Sequence, residues 1–206
     1  IYPWYTNWKN IIRNVRNNGP GDDWLRWDGI KGMMDGSLGS RTAWMHEPYL
    51  VDLFSPEKED LPTVGIITLQ DTTDFKHILR ETDKANIQHA VHAIGDRAND
   101  WILDEFALIR EEYGEKDRRC RIEHSQHLSR SAVPRFAAEN IIPSMQPYHI
   151  FDDGSWAHKR IDHDRLSRTY VFKTLIESGA NLTFGSDWTV APLNPVTGIY
   201  AAVTRR

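Results

Sequence analysis

The chain has 206 residues, of which 40% are hydrophobic and 26% charged, with a formal net charge of −4. These proportions suit a globular domain with a sizeable core, and without a basic stripe or a run of roughly 18 apolar residues they argue against a nucleic-acid partner or a membrane span. The single cysteine, Cys120, excludes an internal disulfide and a cysteine zinc cluster.

Periodicity gives the elements in chain order. Trp8, Ile11, Ile12 and Val15 recur at helical spacing within residues 7–17, and the run from Asn17 to Gly21 ends that helix. A short strand follows over 29–34. Residues 37–71 show no clear period and contain Pro48, Pro56 and Pro62; a connection of that length is ordinarily functional or disordered. Thr72 or Thr73 is the expected cap of a helix with Phe75, Ile78, Leu79 and Thr82 on one face. A strand over 88–93 leads through Asp96 and Arg97, expected to cap or brace the next helix. That helix turns Ala98, Trp101, Ile102, Phe106 and Ile109 inward and stops at Gly114. Cys120, a buried structural thiol on this reading, precedes a strand over 121–124. Ser131 caps a short helix carrying Pro134 in its first turn, where proline is tolerated. A strand over 141–145, an irregular stretch, a helix marked by Tyr170, Val171, Thr174 and Leu175 that ends at Gly179, and a last strand over 181–184 complete the chain.

Strands alternating with helices imply parallel β/α units. The fold class is therefore α/β: a partial (β/α)8 barrel of about five units, occupying residues 1–206 as one domain. A complete barrel takes about 250 residues, so a piece of a longer protein is expected; the family resemblance set out below implies that the first strands and a small β-domain are missing.

In such barrels the C-terminal strand ends build one active face. Lys31, His92, His124, Gln146 and Asp187 fall in, at the end of, or just after successive strands. Two neutral imidazoles and a carboxylate make a first shell for zinc or a similar divalent ion. Taken singly, each has a plainer reading: a hydrogen-bonded structural histidine, a paired surface lysine, a turn or capping aspartate. Only their convergence favours a site.

The motifs themselves resemble the amidohydrolase superfamily of metal-dependent hydrolases, in the branch that holds N-substituted formamide deformylase. The run Lys31-Gly32-Met33-Met34-Asp35-Gly36-Ser37, continuing through Arg41, is similar to its fourth-strand motif. Val91-His92-Ala93-Ile94-Gly95-Asp96-Arg97 is similar to the fifth, and Ile122-Glu123-His124-Ser125-Gln126-His127 to the sixth. Ser144-Met145-Gln146-Pro147-Tyr148-His149 resembles the segment after the seventh strand, and Phe184-Gly185-Ser186-Asp187-Trp188 the eighth.

That resemblance implies that Lys31 is a carbamylated, metal-bridging lysine and that His92 and His124 are metal ligands. Asp187 would bind the metal and act as general base, and Arg41, Gln146 and Trp188 would line the substrate pocket. It implies one or two divalent ions, zinc above all, in the complete enzyme, and hydrolysis of an amide, formamide or cyclic amide C–N bond. One departure stands out: the family's first-strand His-x-His pair is absent. The alternative is a catalytically silent piece that needs a partner segment or forms a homo-oligomer through open sheet edges. A small-molecule substrate and a cytoplasmic location are expected. Trp44, Tyr49, Phe54, Tyr148, Phe151 and Trp156 either meet an aromatic substituent or pack the loops.

Overall fold

A computed structural model describes residues 1–51 and 63–205. Five parallel strands form one sheet in the order β1-β2-β3-β4-β5: Gly29–Met33, Gln88–Ala93, Arg121–His124, Ile142–Met145 and Thr183–Phe184. Each strand pairs with its sequence neighbour, and the intervening helices return the chain to the same sheet end. The α/β partial-barrel expectation therefore holds.

The helices are α1 (Trp8–Asn18), α2 (Thr72–Lys84), α3 (Asp96–Tyr113), α4 (Ala132–Ala138), α5 (His149–Asp153), α6 (His163–Ser167), α7 (Phe172–Glu177) and α8 (Pro195–Thr204). Among the described residues, no helix is long and apolar enough to cross a membrane. Helix α3 ends at Gly114, whose φ of 75° needs a residue without Cβ strain.

Several local expectations are corrected. Asp71, not Thr72 or Thr73, caps α2: its side chain accepts from the Thr73 and Asp74 amides, at 2.7 and 3.3 Å. Ser131 makes no capping bond, and the Ser129 hydroxyl serves the Ala132 amide instead, at 3.1 Å. Helix α7 starts at Phe172, leaving Tyr170 and Val171 outside it. The stretch after β4, read as irregular, holds α5, a 3-10 turn over Ala157–Lys159, and α6. Helix α8 was not anticipated at all. The predicted 37–71 loop has neither helix nor strand among its described residues, and Phe54, Pro56 and Pro62 lie outside them.

Strand alternation divides the sheet into two faces. Register aligns Ile30 with His89, Val91 with Ile122, and Ile122 with Pro143. This face packs under α2, α3, α4 and α7, where Phe75, Ile102, Leu103, Ile122, Phe136 and Met145 are fully buried. Truncating Phe136 there to alanine would cost about 3–5 kcal/mol. The opposite face carries Lys31, His92, Arg121, Glu123, Ser144 and Thr183, polar and only partly covered. A second cluster, Leu38, Ala43, Met45, Tyr49, Ile94, Ala157 and Ile161, fastens the 38–49 loop over the strand ends. Tyr49 is buried in it, donating to the Ala43 carbonyl at 2.8 Å, so this aromatic packs the loop. Phe151, by contrast, is exposed.

The sheet's two edges differ. Trp4 bridges Lys31 in parallel, so β1 is partly paired on its outer side. The β5–α8 edge leaves Phe184, Val196, Ile199 and Val203 exposed.

Candidate metal centre

Glycine lets the rim form. A Cβ on Gly95 would lie 2.1 Å from the Trp44 carbonyl oxygen, so only glycine lets the 38–49 loop come this close to the end of β2. Asp35, fully buried, organises the same junction. Its carboxylate accepts from the amides of Ile94 at 3.0 Å, Gly95 at 2.8 Å and Trp44 at 2.8 Å. Asp96 serves both the helix and the loop, accepting from the Arg97 amide in the first turn of α3 at 2.9 Å and from the His46 amide at 2.9 Å, and facing Arg168 at 3.6 Å. Arg97 lies over the Trp44 ring, 4.6 Å from its centroid.

His92 lies one residue before the end of β2, with Nε2 at 3.0 Å from the Gly36 carbonyl and 3.4 Å from Asp35. A carbonyl can only accept, so Nε2 carries the proton and Nδ1 keeps its lone pair. The His92 and His124 rings meet edge to face, with centroids 4.5 Å apart. His124 and Ser125 take left-handed backbone, φ 76° and 43°. That turn ends the alternation of β3, which would otherwise set His124 on the Ile122 side under the helices. His124 stacks on His149 at 5.9 Å, and His149 Nε2 is 3.8 Å from an Asp187 carboxylate oxygen. Candidate ligand atoms of His124, His149 and Asp187 all lie within 4.8 Å of one another.

The electrostatics agree with this crowding. Burial, then the neighbouring His92, Lys31 and His149, hold His124 well below the usual imidazole range against a smaller raising influence of the Gln146 side chain, so it is neutral at pH 7. Burial also lowers the Lys31 ammonium, opposed by the carboxylates of Glu123 and Asp187. Six buried side-chain atoms lack a hydrogen-bond partner among the described residues, and three gather here: His124 Nδ1, His149 Nε2 and Gln146 Oε1. Unsatisfied buried polar atoms are costly, and two orphaned imidazole nitrogens beside a carboxylate fit a divalent cation in donor type.

Lys31, His92, His124 and Asp187 thus come to one rim, with Gln146 buried beside them. Trp188 is exposed, and Arg41 sits on the turn closing the Leu38–Arg41 loop. Sequence reasoning missed His149. Its available signal was position, three residues beyond Gln146 at the same strand end.

The profile of the amidohydrolase family matches residues 6–206. The chain belongs to that family. Protein LONG AFTER FAR-RED 3 of Arabidopsis thaliana is 36% identical to this amidohydrolase chain over 202 residues, covering 97% of it and 33% of the plant protein. Putative amidohydrolase YtcJ of Bacillus subtilis (strain 168) is 30% identical over 183 residues, covering 89% of the chain and 32% of YtcJ. The chain therefore spans about a third of these relatives. A crystal structure of an uncharacterized metal-dependent hydrolase from Pyrococcus furiosus superposes with a TM-score of 0.78 at 28% identity, covering 96% of this chain and 39% of that one.

Proposed function

We propose that this chain carries part of the catalytic centre of a metal-dependent hydrolase that cleaves a C–N bond in an amide, formamide or cyclic amide. The single observation behind this reading is the cluster of His124, His149 and Asp187, whose candidate ligand atoms lie within 4.8 Å of one another while His124 Nδ1 and His149 Nε2 lack a hydrogen-bond partner. Those three residues would hold a divalent cation, zinc by preference, with Lys31 and His92 completing the centre. A bound cation of this kind supplies an acidified water and polarises the scissile carbonyl.

The protein's own groups then have distinct tasks. Asp187 takes the proton of the attacking water and returns it to the leaving nitrogen. The Gly36 carbonyl fixes the His92 tautomer by accepting from Nε2. Carbamylation of Lys31 belongs to the same proposal: burial favours the neutral amine that such a modification needs. Gln146, Arg41 and Trp188 would contact a small-molecule substrate. Sequence family and the similar metal-dependent hydrolase support the hydrolytic class.

The test uses the full-length protein. Metal analysis should find a transition metal, chelation should abolish hydrolysis of N-acyl or formamide substrates, and zinc should restore it. A metal-free preparation with full turnover would end this reading.

The β5–α8 edge favours a second reading, that the 206-residue chain alone is silent and pairs with a partner segment or another copy. Its exposed Phe184, Val196, Ile199 and Val203 form an apolar margin. Sizing the isolated chain tests this: a well-behaved monomer that turns over substrate refutes it.

A further inference from the structure

Helix α5 has five residues, too few to hold its own shape in water. The placement of His149 at its start must therefore come from tertiary anchors. His149 and Asp153 are four residues apart, on one side of that single turn. The Asp153 carboxylate oxygen Oδ2 receives two side-chain bonds, from Gln126 Nε2 at 2.6 Å and from the Tyr170 hydroxyl at 2.6 Å. Gln126 lies two residues past His124. Its other amide hydrogen goes to His127 Nε2 at 3.2 Å, and His127 Nδ1 donates to the Thr169 hydroxyl at 2.8 Å. The Tyr170 amide donates back to the Gln126 carbonyl at 2.9 Å. Gln126, His127 and Tyr170 are buried, so these bonds are shielded from competing water.

We propose that Asp153 is a positioning residue. Held by Gln126 and Tyr170, it clamps α5 to the segment that follows β3 and so fixes the distance between His149 and His124. The clamp ties the two imidazole-bearing segments together without itself reaching the cation. This inference rests on the metal-centre reading above.

The test is cobalt(II) titration of the full-length apoprotein, followed by visible ligand-field absorption and by binding affinity, with no enzymatic assay. Tyr170→Phe removes one hydroxyl and keeps the ring. It should weaken cobalt binding about tenfold or more and change the absorption envelope, as loss of a ligand-orienting contact does. Asp153→Ala should do the same or more. Asp153→Asn keeps an oxygen that can accept from both donors, and should restore most of the affinity and the wild-type spectrum. Lys173→Ala, on an exposed side chain, is the control. If Asp153→Ala fails to fold, Tyr170→Phe decides. Wild-type cobalt binding that Tyr170→Phe leaves unchanged in affinity and spectrum overturns the clamp. A wild type with no cobalt spectrum would instead remove the metal centre on which the clamp depends.

Discussion

His89 and His127 are buried even more deeply than His124, yet they belong to a different kind of place. Thr82 spends its hydroxyl proton on the Ile78 carbonyl at 2.7 Å, so it accepts from His89 Nε2 at 2.8 Å, and Cys120 sulfur lies 3.8 Å from Nδ1. His127 is bracketed by Gln126 and Thr169. Every nitrogen in this pair has a protein partner. At the rim, His124 Nδ1 and His149 Nε2 have none. Burial alone therefore does not set the rim imidazoles apart from the others; burial with a nitrogen that lacks a hydrogen-bond partner does. Cys120 belongs with the satisfied set, its thiol pushed up to about 12 by burial and inert as the sequence suggested.

The contrast can be broken most forcefully at Asp187. Asp187→Asn should lower turnover of the full-length enzyme by about 10²–10⁴-fold with an unchanged circular dichroism spectrum; normal turnover would remove the base from the scheme.

Next comes a swap between the two histidine classes. His149→Ala should reduce metal affinity at least tenfold and leave the unfolding midpoint nearly unmoved. His89→Ala should spare metal binding and cost about 1–3 kcal/mol of stability, because Thr82 and Cys120 lose a buried partner. Calorimetry and metal titration on both variants would sharpen or dissolve the distinction.

Acid should act on the satisfied pair. Burial holds His89 at about 4 and His127 at about 3, against 6.5 for a free imidazole. Between those values and 6.5 the unfolded chain binds more protons than the folded one, so stability rises with pH across that window. Their contribution is complete above pH 6.5 and is lost as pH falls toward 4 and then 3. Denaturant midpoints measured from pH 7 down to 4.5 should fall, and His89→Gln should flatten the slope.

The smallest effect belongs to Trp188, 66% exposed. Trp188→Ala should raise KM a few-fold and move stability by less than about 0.5 kcal/mol.

Much of this was legible in the residues. The sheet strands read clearly because Ile30, Val91, Ile122 and Met145 alternate with polar neighbours, and α2 and α3 because their apolar stripe is long. Helices α5 and α6 were not legible: at five residues each, they offer too little sequence for a period to emerge. Helix α8 mixes Gly198 with Val196, Ile199 and Val203, residues of low helix propensity, and so lacks a helical signature. Lys31, His92, His124 and Asp187 could be singled out because they fall in, at the end of, or just after successive strands. His149 had only its position three residues past Gln146 as a signal, since it rides on a helix too short to show a period.

The backbone at Asp187 carries its own consequence. With φ at 57° and no Cβ-free residue to ease it, this position holds a conformation that glycine would adopt at less cost. On the role proposed above for its carboxylate, Asp187→Gly would relax this backbone and at the same stroke remove the base.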